Sequence, residues 1–337
     1  MMTARLVTHD VAIGYANARR PPRVIAERLN LMLRGGELVA MVGPNGAGKS
    51  TLMRTLAGLQ KPLRGHVYLD QADLHHMPPE TLAQALAVVL TERVDVGNLS
   101  AYALVALGRH PYTNWRGALT AQDEEIVRWA LTATNTVHLA QRPLTELSDG
   151  ERQKIMIARA LAQEAPVLLL DEPTAFLDLP RRVELMRLLS SLAQSTRRAI
   201  LVTTHDLDLA LRVADRLWLL AADGQLSVGL PEELVLNGAL QRTFQSEGLE
   251  FDNSSGAFRL HRTPCGPIAL HGQGLVADWT ARAVERIGYE VANAASPELA
   301  YLFHAAVADG YWQLQTPRGH EEFQTLAAFI ERVRQPL

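Results

Sequence analysis

The sequence predicts an α/β fold: a mostly parallel sheet flanked by helices, with a short antiparallel layer before it and a small α+β extension after it. Three observations carry this reading. An apolar strand, Glu37 to Val42, enters a glycine-rich turn from which a helix leaves at Ser50. Two more continuous apolar runs, Val167 to Leu170 and Ala199 to Thr204, alternate with helical patterns over Glu151 to Gln163 and Arg181 to Ala193, the order of strands and crossovers in a parallel sheet. The composition then breaks at Arg262-Thr263-Pro264-Cys265-Gly266-Pro267, a linker, which divides the chain into 1–262 and 263–337.

Size and composition agree with two domains. The chain has 337 residues, 47% of them hydrophobic and 20% charged, as expected of a globular protein able to bury a sizeable core. A formal net charge of −3 shows no basic excess, so neither nucleic acid nor an anionic membrane surface is expected as the main partner. Cys265 is the single cysteine and cannot form an internal disulfide, which fits a reducing compartment. No apolar run reaches the roughly 18 residues of a spanning helix, and the first residues lack a basic-then-apolar leader, so the expectation is a cytosolic or peripheral protein.

Taken in order, Arg5 to Ile13 reads as a strand ending at Gly14-Tyr15, and Leu29 to Leu33 as a second, closed by Arg34-Gly35-Gly36. Such strands ahead of the glycine turn predict an antiparallel layer. Tyr15 can offer a flat face to a base or can be an ordinary strand-end aromatic, and the local residues leave both open. The turn itself, Gly43-Pro44-Asn45-Gly46-Ala47-Gly48-Lys49-Ser50-Thr51, matches G-x-x-x-x-G-K-[ST] at every fixed position, so it is a P-loop. Its glycines let successive N–H groups face a phosphate, and the emerging helix adds the positive end of its dipole. Lys49 would reach the outer phosphates, and the Ser50 hydroxyl would bind Mg²⁺.

Beyond it, Gly65 to Asp70 and Ala85 to Leu90 read as strands, and His75-His76-Met77-Pro78-Pro79 as a solvated loop with no companion ligand at metal spacing. Tyr102 to Leu107 and Ala121 to Ala133 have helical spacing, with Arg109-His110-Pro111-Tyr112 exposed between them. Ser148 and Glu151 form a capping box for the helix from Glu151 to Gln163; the same geometry makes an anion site, and local sequence does not separate the two. The strand Val167 to Leu170 ends on paired carboxylates. Asp171 suits Mg²⁺, and Glu172 suits deprotonating a water aimed at a γ-phosphate. Ala175 to Asp178 is a short loop, and His205, closing the strand from Ala199, can reach the same phosphate. Leu217 to Leu220 and Gln225 to Val228 make an edge hairpin around Asp223-Gly224.

With these residues assembled, Arg5 to about His261 resembles the ATPase subunit of an ATP-binding cassette (ABC) transporter: a P-loop NTPase core with an antiparallel β-subdomain and an α-helical signature subdomain. The family's adenine-stacking aromatic matches Tyr15, its Walker A loop Gly43 to Thr51, and its LSGGQ signature is similar to Leu147 to Glu151. Its Walker B strand matches Leu168 to Asp171 with Glu172 as catalytic carboxylate, its D-loop Ala175 to Asp178, and its switch histidine His205. The resemblance implies a homodimer with two ATP molecules, each held between one copy's P-loop and the other's Ser148 and Gly150. It also implies a permease dimer as partner and a place on the cytoplasmic face of the membrane. Where the family carries a glutamine that touches Mg²⁺ and the attacking water, this chain has Thr91 followed by Glu92. Either that role is weakened or Glu92 substitutes.

Gly97 to Trp115 resembles the segment that receives the permease's coupling helix in importers of iron siderophores, haem and cobalamin, which implies a metal-chelate cargo and, indirectly, an extracytoplasmic binding protein. The rival readings are an exporter subunit, a translation ATPase and a non-transport cassette acting on nucleic acid. The last is disfavoured because no heptad run or zinc-ligand insertion separates P-loop and signature. In 263–337 we expect strand (Ile268 to His271), helix (Val276 to Ile287), strand (Tyr289 to Ala292), two strands around Asp309-Gly310 and a helix (Phe323 to Val333). His271-Gly272-Gln273-Gly274 reads as a structural turn, and His261, Cys265 and His271 as unconnected rather than as a metal sensor.

Overall fold

The computed structural model describes residues 3–17, 20–90, 98–114, 116–244, 249–252, 257–260, 265–292, 303–308, 311–316 and 319–335. The chain separates into two compact units, Met1–Arg259 and Leu260–Leu337.

The larger sheet of the first unit runs in the order Leu226–Gly229, Arg216–Leu220, Leu38–Val42, Ala199–Thr203, Val167–Leu170, Leu86–Val89, and every adjacent pair is parallel except the hairpin at the first edge. Both faces are covered. Leu38, Ala40 and Val42 pack into one core with helices Asp149–Ala162 and Leu179–Thr196, while Val39 and Met41 pack into a second with Leu52, Met53 and Leu56. The same alternation sends Leu168 and Leu170 one way and Val167 and Leu169 the other. This two-sided burial is why these strands read as unbroken apolar runs. Leu38–Val42, Ala199–Thr203 and Val167–Leu170 are neighbours, so the loops leaving them gather at one end of the sheet, where ligands bind in such folds.

The antiparallel sheet has the order Arg20–Leu29, Ala4–Asn17, Arg64–Leu69, Ala72–Asp73, with Met32–Arg34 also paired to Ala4–Asn17. The expected strand Leu29 to Leu33 is thus split between two strands. Arg20–Leu29 escapes sequence reading because it opens on Arg-Pro-Pro-Arg, a composition that only an edge strand tolerates. The expected histidine loop is also corrected. Leu74–His76 is a 3₁₀ turn capped by Asp73, which accepts from the His75 N–H (3.0 Å) and contacts the rings of His66 (2.8 Å) and His76 (3.3 Å). Pro79 then opens a helix, Pro79–Ala85, since proline suits the first helical position. Among the described residues no group of three or more His, Cys, Asp or Glu is arranged to hold a metal ion.

The helical part comprises Ala101–Ala106, a 3₁₀ segment Leu107–Tyr112, Ala121–Ala133 and Asp149–Ala162. Arg109, expected in an exposed segment, is instead 4% exposed. Its guanidinium bonds Asp123 (2.8 Å), Glu164 (2.7 Å) and the Ala162 carbonyl (2.8 Å), partners supplied from distant parts of the chain. Gly108 lets this segment lie directly on Arg159, whose carbonyl a Cβ there would meet at 2.2 Å.

Helices Ala121–Ala133 and Asp149–Ala162 begin with capping boxes, Thr120 with Asp123 and Ser148 with Glu151. Hydrogen bonds from the Thr120 hydroxyl and N–H, reinforced by Arg109, hold the Asp123 carboxyl below the usual carboxylate range; Ser148 does the same for Glu151. A depressed pKa contributes stability that is present above the unfolded value, about 4, and is lost as pH falls through the folded one. Thermal melts should therefore change little between pH 7 and 5 and fall steeply below about 4. Asp123→Asn, less stable at neutral pH, should lose less on acidification than the parent.

The second unit is a sheet in the order Tyr289–Ala292, Gly266–His271, Phe303–Ala308, Tyr311–Thr316, Gly319–Phe323, parallel in its first two pairings and antiparallel in the rest. Helices Leu275–Arg286 and Leu326–Arg334 complete it, with Ile268, Val284, Leu314 and Phe329 in its core. Gly319–Phe323 is an edge strand of polar residues, so the expected helix from Phe323 starts later, after the Thr325 cap.

Candidate active site

The P-loop leaves Leu38–Val42 and enters helix Lys49–Leu56. Gly48 has φ +105°, and a Cβ there would sit 2.5 Å from Ile25 Cγ2, so only glycine fits between the loop and the edge strand. Lys49 is buried, and its Nζ donates to the carbonyls of Gly43 (2.8 Å) and Pro44 (3.1 Å), curling the loop around the ammonium. Burial lowers its pKa against the opposing pull of the Glu172 and Asp171 carboxylates, which face it. Asn45, Gly46 and Ser50 are exposed, whereas Ala47 is buried. Thr51 is buried too, and its hydroxyl shares a hydrogen bond with the Tyr15 hydroxyl (3.1 Å). That bond anchors Tyr15 beside the loop while its side chain stays half exposed, a flat surface next to the glycine turn.

From the neighbouring strands come the carboxylates. Asp171 follows Val167–Leu170, with its N–H on the Val89 carbonyl (2.8 Å). Glu172 has φ +48°, a left-handed conformation costly for a residue with a side chain. Its Oε1 lies 2.5 Å from Nε2 of His205, which follows Ala199–Thr203. Between the two acids stands Thr203, which donates to Asp171 and accepts the N–H of Glu172. Sequence reading passed over Thr203; the only signal was a threonine at the end of a buried run. Asp178 caps helix Leu179–Thr196, accepting the Arg181 N–H (3.1 Å), between the exposed Phe176 and Leu179.

Lys49, Asp171, Glu172 and His205 therefore converge, with Ser50 and Thr51 on the helix that Lys49 opens and Tyr15 joined to them from strand Ala4–Asn17 through the Thr51 hydroxyl. Ser148 and Gly150 do not join them. They line a separate cleft of about 200 Å³ with Glu151, Lys154, Leu177, Arg181, Glu184 and Leu185, none of them a P-loop residue. Ser148 caps the helix by accepting the Glu151 N–H (3.4 Å), its hydroxyl donates to Glu151 Oε2 (2.7 Å), and the residue borders the cleft. Thr91, Glu92, Gly97 and Trp115 lie outside the described residues.

Residues 26–175 match a family described as ABC transporter, and residues 265–334 one described as iron ABC transporter C-terminal domain. An uncharacterized ABC transporter ATP-binding protein of Methanocaldococcus jannaschii is 44% identical over 77% of this chain and 88% of its own length. The chain belongs to the ABC transporter ATP-binding family. The petrobactin import ATP-binding protein FpuC of Bacillus anthracis is 39% identical over 71% of this chain and 86% of FpuC. A solved metal-chelate type ABC transporter in an inward-facing conformation superimposes with a TM-score of 0.61 at 29% identity, covering 72% of this chain and 89% of that chain. Members of the family hydrolyse ATP to power transport, so the cassette is an ATP-binding ATPase. Among its described residues no helix is long and apolar enough to cross a membrane.

Proposed function

We propose that the cassette powers uptake of a metal chelate, of the iron-siderophore, haem or cobalamin type, as a pair of identical subunits bound peripherally to the cytoplasmic face of a separate permease. The observation that carries the catalytic part is the separation of the Lys49, Asp171, Glu172 and His205 cluster from the Ser148 and Gly150 cleft, which leaves each copy with half a site. Tyr15 stacks the adenine, the amides of Gly43 to Thr51 cradle the phosphates, and Lys49 leaves its carbonyls for the outer phosphate oxygens. Ser50 and Asp171 are hard oxygen donors and fit Mg²⁺, which takes few protein ligands and completes its shell with phosphate and water. Bound there, Mg²⁺ offsets charge on the phosphate oxygens. Glu172 takes the proton of the attacking water, His205 holds Glu172 and the γ-phosphate in register, and Ser148 and the Gly150 N–H close from the second copy. Asp178 sits at that closing face, and Thr91 and Glu92 would report the nucleotide to the permease.

The importer reading is supported by the iron-type C-terminal match, by FpuC's import role and by the metal-chelate type of the solved transporter. The permease would dock on Gly97 to Trp115, where Leu107 and Tyr112 are exposed, and an extracytoplasmic binding protein would deliver the chelate. For 263–337 we propose a dimer-stabilising or regulatory role. Proteoliposomes holding the cassette with its permease and binding protein should accumulate a ferric chelate only when ATP is supplied on the cassette side. Efflux instead of uptake, or retention of the purified cassette on DNA, would overturn the reading.

A further inference from the structure

We infer that Thr203 is a positioning residue for hydrolysis, one hydroxyl that orients the metal-facing carboxylate of Asp171 and the backbone of Glu172 together. The inference rests on the roles proposed above for those two acids. Thr203 is 1% exposed, and its Oγ1 donates to Asp171 Oδ1 at 2.6 Å and accepts the Glu172 N–H at 2.8 Å. A hydroxyl has one hydrogen. Committing it to the carboxylate leaves the lone pairs for the amide, so the two bonds define each other's direction.

The pairing follows from sheet register. Leu170 lies opposite Val202 in the parallel ladder, which sets the next residue of each strand, Asp171 and Thr203, abreast. The hydroxyl pins one oxygen of Asp171 and thereby orients the carboxylate, as an outer-shell partner orients a metal ligand. Its second bond acts on Glu172, whose left-handed backbone persists only where surroundings hold it. Held that way, the Glu172 carboxyl meets His205 Nε2. Burial keeps water from replacing the hydroxyl.

Thr203→Val keeps the shape and removes the hydroxyl; Thr203→Ser restores it. ATP binding would be measured by calorimetry on the full-length chain at a series of Mg²⁺ concentrations and in EDTA, alongside steady-state hydrolysis. Thr203→Val should raise the Mg²⁺ concentration for half-maximal enhancement of binding about tenfold or more, and lower kcat by at least as much. Binding in EDTA, which depends on the P-loop amides and Lys49, should stay within about twofold, and Thr203→Ser should recover most of both losses. Parental Mg²⁺ dependence and kcat in Thr203→Val, or equal impairment of the serine and valine variants, would overturn the inference. The Mg²⁺ titration does not require turnover, so the role of Glu172 is tested separately by Glu172→Gln.

Discussion

Glu172→Gln should lower ATP hydrolysis by about 100- to 10,000-fold, the usual contribution of a positioned base, while leaving ATP binding close to that of the parent. Glutamine fills the same space and can still hydrogen-bond His205 Nε2, which lies 2.5 Å from the carboxylate, but it cannot take a proton from water. Lys49 sits in its own nest of P-loop carbonyls, so the phosphate cradle does not depend on Glu172 for its shape. Removing that charge also removes one of the two carboxylates that oppose the lowering of the Lys49 pKa, a change Asp171 limits by remaining. If the active unit is the closed pair proposed here, blocking turnover should trap it. Size-exclusion chromatography should then show an ATP-dependent dimer in the variant that the parent forms only transiently. Phosphate release within tenfold of the parent would show that another group activates the water.

The parts of this cassette that were legible in its sequence are those where one short stretch contains its own reason. Gly43 to Thr51 fits its loop residue by residue, and Val167–Leu170 and Ala199–Thr203 announce burial on both faces. What stayed hidden depends on residues far apart in the chain. Thr203 meets Asp171 only because two parallel strands align in one register, and no local pattern encodes that register. Gly319–Phe323 carries Gly-His-Glu-Glu at an exposed edge, where nothing rewards apolar alternation. Arg20–Leu29 is disguised by the prolines that its edge position permits. Arg109 was misjudged for the same reason, since a cation between Gly108 and His110-Pro111 reads as surface and its ionic partners lie 14 and 55 residues away.

Those partners make Arg109 a position whose loss should strongly destabilise the first unit. Arg109→Met, similar in length but uncharged, should cost about 3–5 kcal/mol, the range for removing one member of a buried ion pair. The loss is large because Asp123 stays buried as a carboxylate without its cation, and the Ala162 carbonyl at the end of helix Asp149–Ala162 loses a charged donor. The more open partner, Glu164, is nearly half exposed and can turn to water, so it adds little. Contact between the guanidinium and the Tyr112 ring, 4.1 Å from its centroid, disappears as well. At ~2–4 °C per kcal/mol for a unit of this size, the melting temperature should fall by at least about 6 °C. Replacing both Arg109 and Asp123 by Met and Leu should recover a substantial part of the loss, because the cost lies in the stranded carboxylate rather than in the pair itself. A double variant as unstable as the sum of the two singles would instead place the cost in packing around Gly108 and Arg159, where the segment lies directly on helix Asp149–Ala162.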